Sequence, residues 1–128
     1  MLRIVFLGTV FSGTGQGKKF IDLPWVKRQI EQKLGFAPYP GTLNLRLTKE
    51  SIENKKLLED AEGFVVEPQA GYCRGVMFRA QIDSVQSAII IPKVPNYPNS
   101  VLEVIAPVYL REHLNLTDGS QVTVTVSV

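Results

Sequence analysis

The chain has 128 residues, of which 45% are hydrophobic and 20% are charged. This size and composition are typical of one folded domain, residues 1–128, and exclude a largely disordered chain. The 14 Lys and Arg residues outnumber the 12 Asp and Glu residues by two, but they are scattered along the chain, so we expect neither a concentrated basic face nor a nucleic-acid partner.

The single cysteine and the N-terminal stretch bear on where the protein resides. Cys73 alone excludes an intrachain disulfide and fits a reducing compartment. The apolar residues 1–10 are too few to span a membrane, and they lack the order of regions found in a signal peptide. We therefore expect a cytoplasmic protein with no membrane partner.

The first third of the chain predicts a strand, a glycine loop and a helix. Residues 2–11 are rich in β-forming side chains, residues 12–17 contain three glycines, and residues 18–23 are expected to return as a short strand. Residues 24–35 have the clearest helical pattern, with a proline in the first turn and a glycine after the last.

An apolar stripe supports this helix. Val26, Ile30 and Leu34 recur every four residues and therefore share one helix face. Asp22 or nearby backbone is expected to cap the start of the helix.

From residue 38 onward the pattern predicts mostly short strands. Strands are expected at residues 42–47, 63–67, 72–83, 85–91, 101–106 and 121–128, the second and third forming a hairpin. Two further short helices are expected, at residues 51–60 and, opened by Pro107, at residues 107–114. So many short strands favour a mainly β, closed barrel with a few short helices over a βαβ fold.

The glycine loop is the first candidate for chemistry. Its glycines allow a phosphate to approach successive backbone N–H groups, although a flexible hairpin loop fits the pattern equally well. A Walker A loop would need glycine at position 12 and Ser or Thr at position 19, where the chain has Ser12 and Lys19. A Rossmann loop would need a helix opening at the glycines, whereas we expect a β-like segment there.

A second candidate is the pair Thr42 and Asn44. In a strand these residues point to the same face, where two neutral side-chain oxygens can hold a magnesium ion that also binds phosphates and water. The alternative is that they form only the solvent-exposed face of an amphipathic strand.

A third candidate is Glu103, which has apolar neighbours on both sides in its strand. A carboxylate in such surroundings is unfavourable unless it is paired or used. It can accept a hydrogen bond from a polyol or orient an acceptor hydroxyl, or it can simply be an outward-facing residue at a sheet edge.

The last candidate is the short helix after Pro107. Free N–H groups at its start and the planar donors of Arg111 suit a bound anion, but a plain connector with a surface arginine fits as well. His113 has no second histidine or cysteine cluster nearby in the sequence, so no metal site is expected there.

Taken together, these motifs resemble the CTP-dependent riboflavin kinases. The resemblance covers nearly the whole chain and is most specific in two runs, Pro38-Tyr39-Pro40-Gly41-Thr42-Leu43-Asn44 and Glu103-Val104-Ile105-Ala106-Pro107 with the following Leu110-Arg111. It implies a six-stranded cradle-loop (swapped-hairpin) barrel. It also implies transfer of the γ-phosphoryl group of CTP to the 5′-hydroxyl of riboflavin, giving FMN and CDP, with the help of Mg²⁺. We expect the protein to be a monomer.

The resemblance also implies roles for individual residues. Thr42 and Asn44 would hold magnesium, and Glu103 would contact the flavin side and either orient the acceptor or act as a base. The residues that would contact the nucleotide are Gly13, Thr14, Gly15, Gln16, Gly17, Lys18, Tyr109, Leu110, Arg111 and Glu112.

One position departs from the family pattern. Pro95 stands where the family usually presents a threonine that contacts the flavin, and proline has neither a hydroxyl nor an N–H. Asn96 or Tyr97 can substitute for that contact.

Other hypotheses stay open, and the departure at Pro95 favours the first of them. One is a flavin- or nucleotide-sensing module that binds without transferring phosphate. Another is a kinase for a different small acceptor. A DNA-binding regulator on a related barrel is a third, and the scattered lysines argue against it.

Overall fold

The computed structural model describes residues 2–69 and 71–128. Within them the chain forms seven antiparallel strands. In chain order these are β1 Arg3–Phe11, β2 Leu43–Leu47, β3 Phe64–Val66, β4 Gly75–Ile82, β5 Val85–Pro92, β6 Val101–Ile105 and β7 Gln121–Ser127.

Six of the strands close into a barrel in the order β4-β5-β6-β2-β1-β7, because β4 also pairs with β7. The strand β3 lies outside this ring and pairs only with the first residues of β4. The expected mainly β, six-stranded barrel is therefore confirmed, and so is the expected hairpin of β3 and β4.

The barrel interior is filled by alternate residues of each strand. Along β2, for example, Leu43, Leu45 and Leu47 are buried, while the residues between them face outward. This alternation follows from the two-residue period of a strand. The polar residues Thr42, Asn44 and Glu103 therefore lie outside the barrel and not in its core.

Four helices cover the outside of the barrel in the described residues: α1 Gln16–Ile21, α2 Pro24–Leu34, α3 Lys49–Lys55 and α4 Leu110–His113. A single 3-10 turn, Lys56–Leu58, extends α3. None of the described helices has the length and apolar character needed to cross a bilayer.

Helix α2 confirms the sequence prediction in most respects. Val26, Ile30 and Leu34 are buried in a second apolar cluster, against outward-facing residues of β4, β5 and β6. Gly35 ends the helix in a left-handed conformation, with φ of 82°. Asp22, however, does not cap the helix, because Leu23 occupies the N-cap position without a side-chain bond.

The strand predicted at residues 18–23 is wrong, because the chain forms α1 there. Both edges of β1 are already paired, one with β2 and the other with β7, so no edge remains for a returning strand. The chain turns into a helix instead and buries Ile21 in the second apolar cluster.

The helix predicted to open at Pro107 begins three residues later. Ala106 lies outside the helix, and its carbonyl accepts a hydrogen bond from the backbone N–H of Tyr39 at 2.8 Å. The first helical bond runs from the N–H of His113 to the carbonyl of Tyr109, so Tyr109 caps α4.

The closed core predicts a clear contrast between two leucines. Leu45 is fully buried and Leu57 is 55% exposed. Leu45→Ala should lower the free energy of unfolding by about 2–5 kcal/mol because it leaves a cavity, whereas Leu57→Ala should change it by less than about 0.5 kcal/mol. Urea unfolding measures both values, and equal stability of the two variants would contradict this packing.

Candidate functional site

Thr42 and Asn44 meet Glu103 on the outer face of the barrel. In the register of β2 and β6, Asn44 lies directly opposite Glu103. The Thr42 hydroxyl lies 3.0 Å from Glu103 Oε1 and 3.1 Å from Asn44 Oδ1. Because a hydroxyl has one proton and a charged acceptor binds it more strongly, Thr42 donates to the carboxylate, which leaves Asn44 Oδ1 with lone pairs for another partner.

The Glu103 carboxylate is held from both sides. Thr42 donates to Oε1, and the phenol of Tyr97 donates a short hydrogen bond to Oε2. The carboxylate is partly buried among apolar strands, and these two bonds offset the unfavourable transfer from water. Glu103 is therefore a fixed acceptor and not a loose side chain at a sheet edge.

Tyr97 and Lys55 complete the surroundings of Glu103. Burial, together with the hydrogen bond to Glu103, raises the pKa of Tyr97, so its phenol remains a donor. The Lys55 ammonium donates to the carbonyl of Val101 at 2.8 Å and lies 5.3 Å from the centre of the Tyr97 ring. Burial lowers the pKa of Lys55, while the nearby charge of Glu103 opposes this shift.

The sequence reasoning missed Lys55 and named Tyr97 only as a substitute for another residue. Lys55 lies in a polar helix, and Tyr97 in a proline-containing loop, and neither belongs to a motif. The one available signal was a tyrosine between two prolines, Pro95 and Pro98, in the loop just before β6.

The glycine loop packs directly against Thr42 and Asn44. A Cβ atom at Gly13 would overlap the amide nitrogen of Asn44, and one at Gly17 would overlap the Thr42 hydroxyl. The loop ends at Gly15, whose φ of 88° favours glycine, and α1 begins at the next residue. Glycines thus allow the loop to approach the Thr42–Asn44 pair closely.

The segment after the glycine loop differs from the sequence prediction on which the exclusion of a Rossmann loop partly rested. A helix does follow the glycines, although a β-like segment was expected there. The conclusion still holds on other grounds, because the strands pair antiparallel and a Rossmann unit needs parallel ones.

Arg111 has protein partners near the start of the glycine loop. Its Nη2 atom lies 2.8 Å from Asp118 Oδ1 and 3.3 Å from both the Phe11 carbonyl and the Ser12 hydroxyl. Hydrogen bonds from Arg111, and then from Ser12, lower the pKa of Asp118. Arg111 therefore joins α4, the glycine loop and the turn at Asp118.

A small cleft of about 50 Å³ opens beside Thr42. The rings of Tyr39 and Tyr109 stack next to it, with centres 4.8 Å apart and planes 14° from parallel. Tyr109, Leu110 and Arg111 line this cleft as well. Glu112, also predicted to contact a nucleotide, is exposed on α4 and is not among the lining residues.

A larger cavity of about 850 Å³ lies on the Tyr97 side of Glu103. Its walls come from α3 with its 3-10 turn, from β4 and β5, and from the loop after β5. Both Pro95 and Tyr97 are in this wall. Pro95, predicted to touch a flavin, therefore lies in the wall of this cavity, whereas Thr42, Asn44 and Glu103 are not among its lining residues.

The close approach of α1 to Thr42 generates a prediction. Alanine is normally favoured over glycine inside a helix. At position 17, however, its Cβ would also lie 3.2 Å from Thr42 Cβ, a tight contact that rotation of the threonine side chain does not change. Gly17→Ala should therefore lower the free energy of unfolding by about 1–3 kcal/mol, as overpacking does.

Gly75→Ala is the matched control for this change. A Cβ at Gly75 would lie 3.5 Å from its nearest neighbour, Ile90 Cγ1, which is an ordinary contact. We expect this variant to be as stable as the unmodified protein in chemical denaturation. Unaltered stability of Gly17→Ala would show that α1 does not rest on Thr42.

The family model and the curated relatives that match this chain point to the same family. The family model named CTP-dep_RFKase, described as "Domain of unknown function DUF120", matches residues 10–126. A riboflavin kinase of Archaeoglobus fulgidus is 42% identical over 123 residues, which cover 93% of this chain and 53% of that protein.

Two further riboflavin kinases show the same relationship. The protein of Pyrobaculum islandicum is 39% identical over 98% of this chain and 62% of its own length. The protein of Saccharolobus solfataricus is 39% identical over 94% of this chain and 73% of its own length. The chain thus spans between about half and three quarters of these relatives, and its sequence and barrel together assign it to the CTP-dependent riboflavin kinase family.

Proposed function

We propose that this chain is a riboflavin kinase that transfers the γ-phosphoryl group of CTP to the 5′-hydroxyl of riboflavin, giving FMN and CDP. The observation that carries the proposal is the meeting of the glycine loop, the Thr42–Asn44 pair and Glu103 at one point. Tyr97 donates to Glu103 and also lines the large cavity. The family and the printed names of the relatives support the reaction and the donor.

The nucleotide would bind on the glycine-loop side of Thr42. Residues 13–18 would wrap the phosphates, since glycines expose backbone N–H groups and Lys18 adds an exposed positive charge. The cleft beside the stacked rings of Tyr39 and Tyr109 would receive another part of the nucleotide. Arg111, held by Asp118, would act by fixing the start of the loop.

Riboflavin would bind in the large cavity. Its volume of about 850 Å³ lies within the range of about 300–1,000 Å³ that is typical of small-molecule sites. Its lining includes four basic side chains (Lys55, Lys56, Arg74 and Lys93) and two acidic ones (Glu59 and Glu62). Riboflavin is neutral and FMN is an anion, so this excess of positive charge suits a site in which the phosphate is formed.

The residues at Thr42 and Asn44 fit a magnesium ion. Magnesium in phosphoryl-transfer sites takes one or two protein oxygens and completes its coordination with phosphates and water. The described residues contain no group of three or more His, Cys, Asp or Glu side chains that could form an all-protein metal site. Thr42 Oγ1 and Asn44 Oδ1 would hold the ion, which would neutralise charge on the triphosphate.

In the transfer step the 5′-oxygen of riboflavin forms a bond to the γ-phosphorus. The bond from that phosphorus to the oxygen bridging to the β-phosphate breaks, and CDP leaves. The hydroxyl proton is released to Glu103 or to solvent. Such a transition state depends on positioning and charge neutralisation more than on a strong base, so Glu103 serves mainly to orient the acceptor hydroxyl.

The direct test is an assay of purified protein with riboflavin and magnesium, in which FMN is separated by chromatography. FMN should form readily with CTP and poorly with ATP. FMN formed equally well from both donors would refute the cytosine preference and leave the kinase assignment intact. Riboflavin binding without FMN from either donor would favour a sensing module.

Asn44→Ala tests the metal site. The variant should lower turnover by at least about 10–100-fold at moderate magnesium, the effect that loss of a hydrogen-bond partner of a metal ligand already has. Raising the magnesium concentration should restore part of the loss. The control is Asn54→Ala, which removes an amide that donates to the carbonyl of Val5 in β1 and should leave turnover unchanged. Full activity of Asn44→Ala would remove the ligand assignment.

A further inference from the structure

The loop between β5 and β6 contains a tight turn at residues 94–97. The backbone N–H of Tyr97 donates to the carbonyl of Val94 at 3.3 Å, and Asn96 has a positive φ of 61°. Proline at the second position and a left-handed asparagine at the third are typical of a type II turn. Pro95, which offers neither a hydroxyl nor an N–H, therefore shapes the backbone that carries Tyr97.

The Tyr97 side chain is held in place from several sides. Its phenol donates to Glu103, and the Lys55 ammonium lies 5.3 Å from its ring centre. The ring also forms part of the wall of the large cavity. It is partly buried, unlike its exposed neighbours Asn96 and Pro98 in the same loop. These contacts hold the Tyr97 side chain in one position, as expected of a residue that orients its neighbours.

The bonds to Glu103 determine how the carboxylate can meet a substrate. An ionised carboxylate has about four lone-pair sites. Thr42 uses one on Oε1, and Tyr97 uses one on Oε2. With both oxygens anchored, the side chain cannot rotate freely, and the remaining sites keep fixed directions.

We propose that Tyr97 is a positioning residue, whose phenol orients the Glu103 carboxylate so that it accepts the hydrogen bond of the acceptor hydroxyl. The inference rests on the proposed kinase function. The turn at Pro95 and Asn96 places the Tyr97 phenol next to Glu103. Pro95 has no hydroxyl, so in this chain the hydroxyl that the loop places near Glu103 comes from Tyr97.

Tyr97→Phe tests the inference because it removes only the phenol oxygen and keeps the ring in the cavity wall. Loss of a hydrogen bond to a charged group should lower kcat about tenfold. The Kd of riboflavin, measured separately by quenching of its fluorescence, should stay unchanged. A purely structural role would instead raise the Kd of riboflavin or lower the melting temperature, with kcat preserved.

The matched control is Tyr72→Phe. Tyr72 is 49% exposed and its ring packs against Phe20 and Trp25, away from Glu103. The control should keep both kcat and the Kd of riboflavin.

A kcat of Tyr97→Phe equal to that of the unmodified protein would overturn the inference alone. A tenfold weaker riboflavin Kd in that variant would also overturn it, because Tyr97 would then be a contact of the flavin. Absence of FMN with the unmodified protein would overturn the proposed function and this inference together.

Discussion

The pairing of β4 with β7 closes the sheet into a barrel, and the position of every other element depends on that closure. Residues 80–82 of β4 pair with β7, while the start of the same strand pairs with β3. Because β4 and β7 pair with each other, every strand of the barrel has a fixed register, with one face toward the interior and one toward the outside. The inner face is filled by aliphatic side chains together with Phe6 and Phe78, so the polar side chains of the candidate site lie on the outer face.

That constraint explains how the candidate site is built. Asn44 faces Glu103 because the register of β2 and β6 sets them opposite each other. The glycine loop and α1 cover this point from one side, and the loop carrying Tyr97 covers it from the other. Polar groups shielded in this way need partners, and Thr42, Tyr97 and Glu103 provide them for one another. The same hydrogen bonds that stabilise a partly buried carboxylate therefore also fix its orientation.

The arrangement suits phosphoryl transfer for a physical reason. This reaction requires two substrates to be held in line and charge to be neutralised, and it needs little covalent chemistry from the protein. In the proposed function, the glycine loop beside Thr42 and Asn44 would hold one substrate and the large cavity behind Tyr97 the other. For the proposed kinase, the excess of basic side chains in the cavity lining would favour a phosphorylated product.

The sequence by itself determined the strands, the long helix and the family. Alternating residues predicted β2, and the stripe of α2 with Gly35 after it predicted that helix, because these signals are local. Tertiary structure alone decided that residues 16–21 form a helix, since this depends on whether β1 has a free edge. It also decided that Arg111 pairs with Asp118 and that Lys55 and Tyr97 gather around Glu103. Lys55 and Glu103 lie far apart in the chain and belong to no shared motif, so only the closing of the barrel and the packing of α3 bring them together.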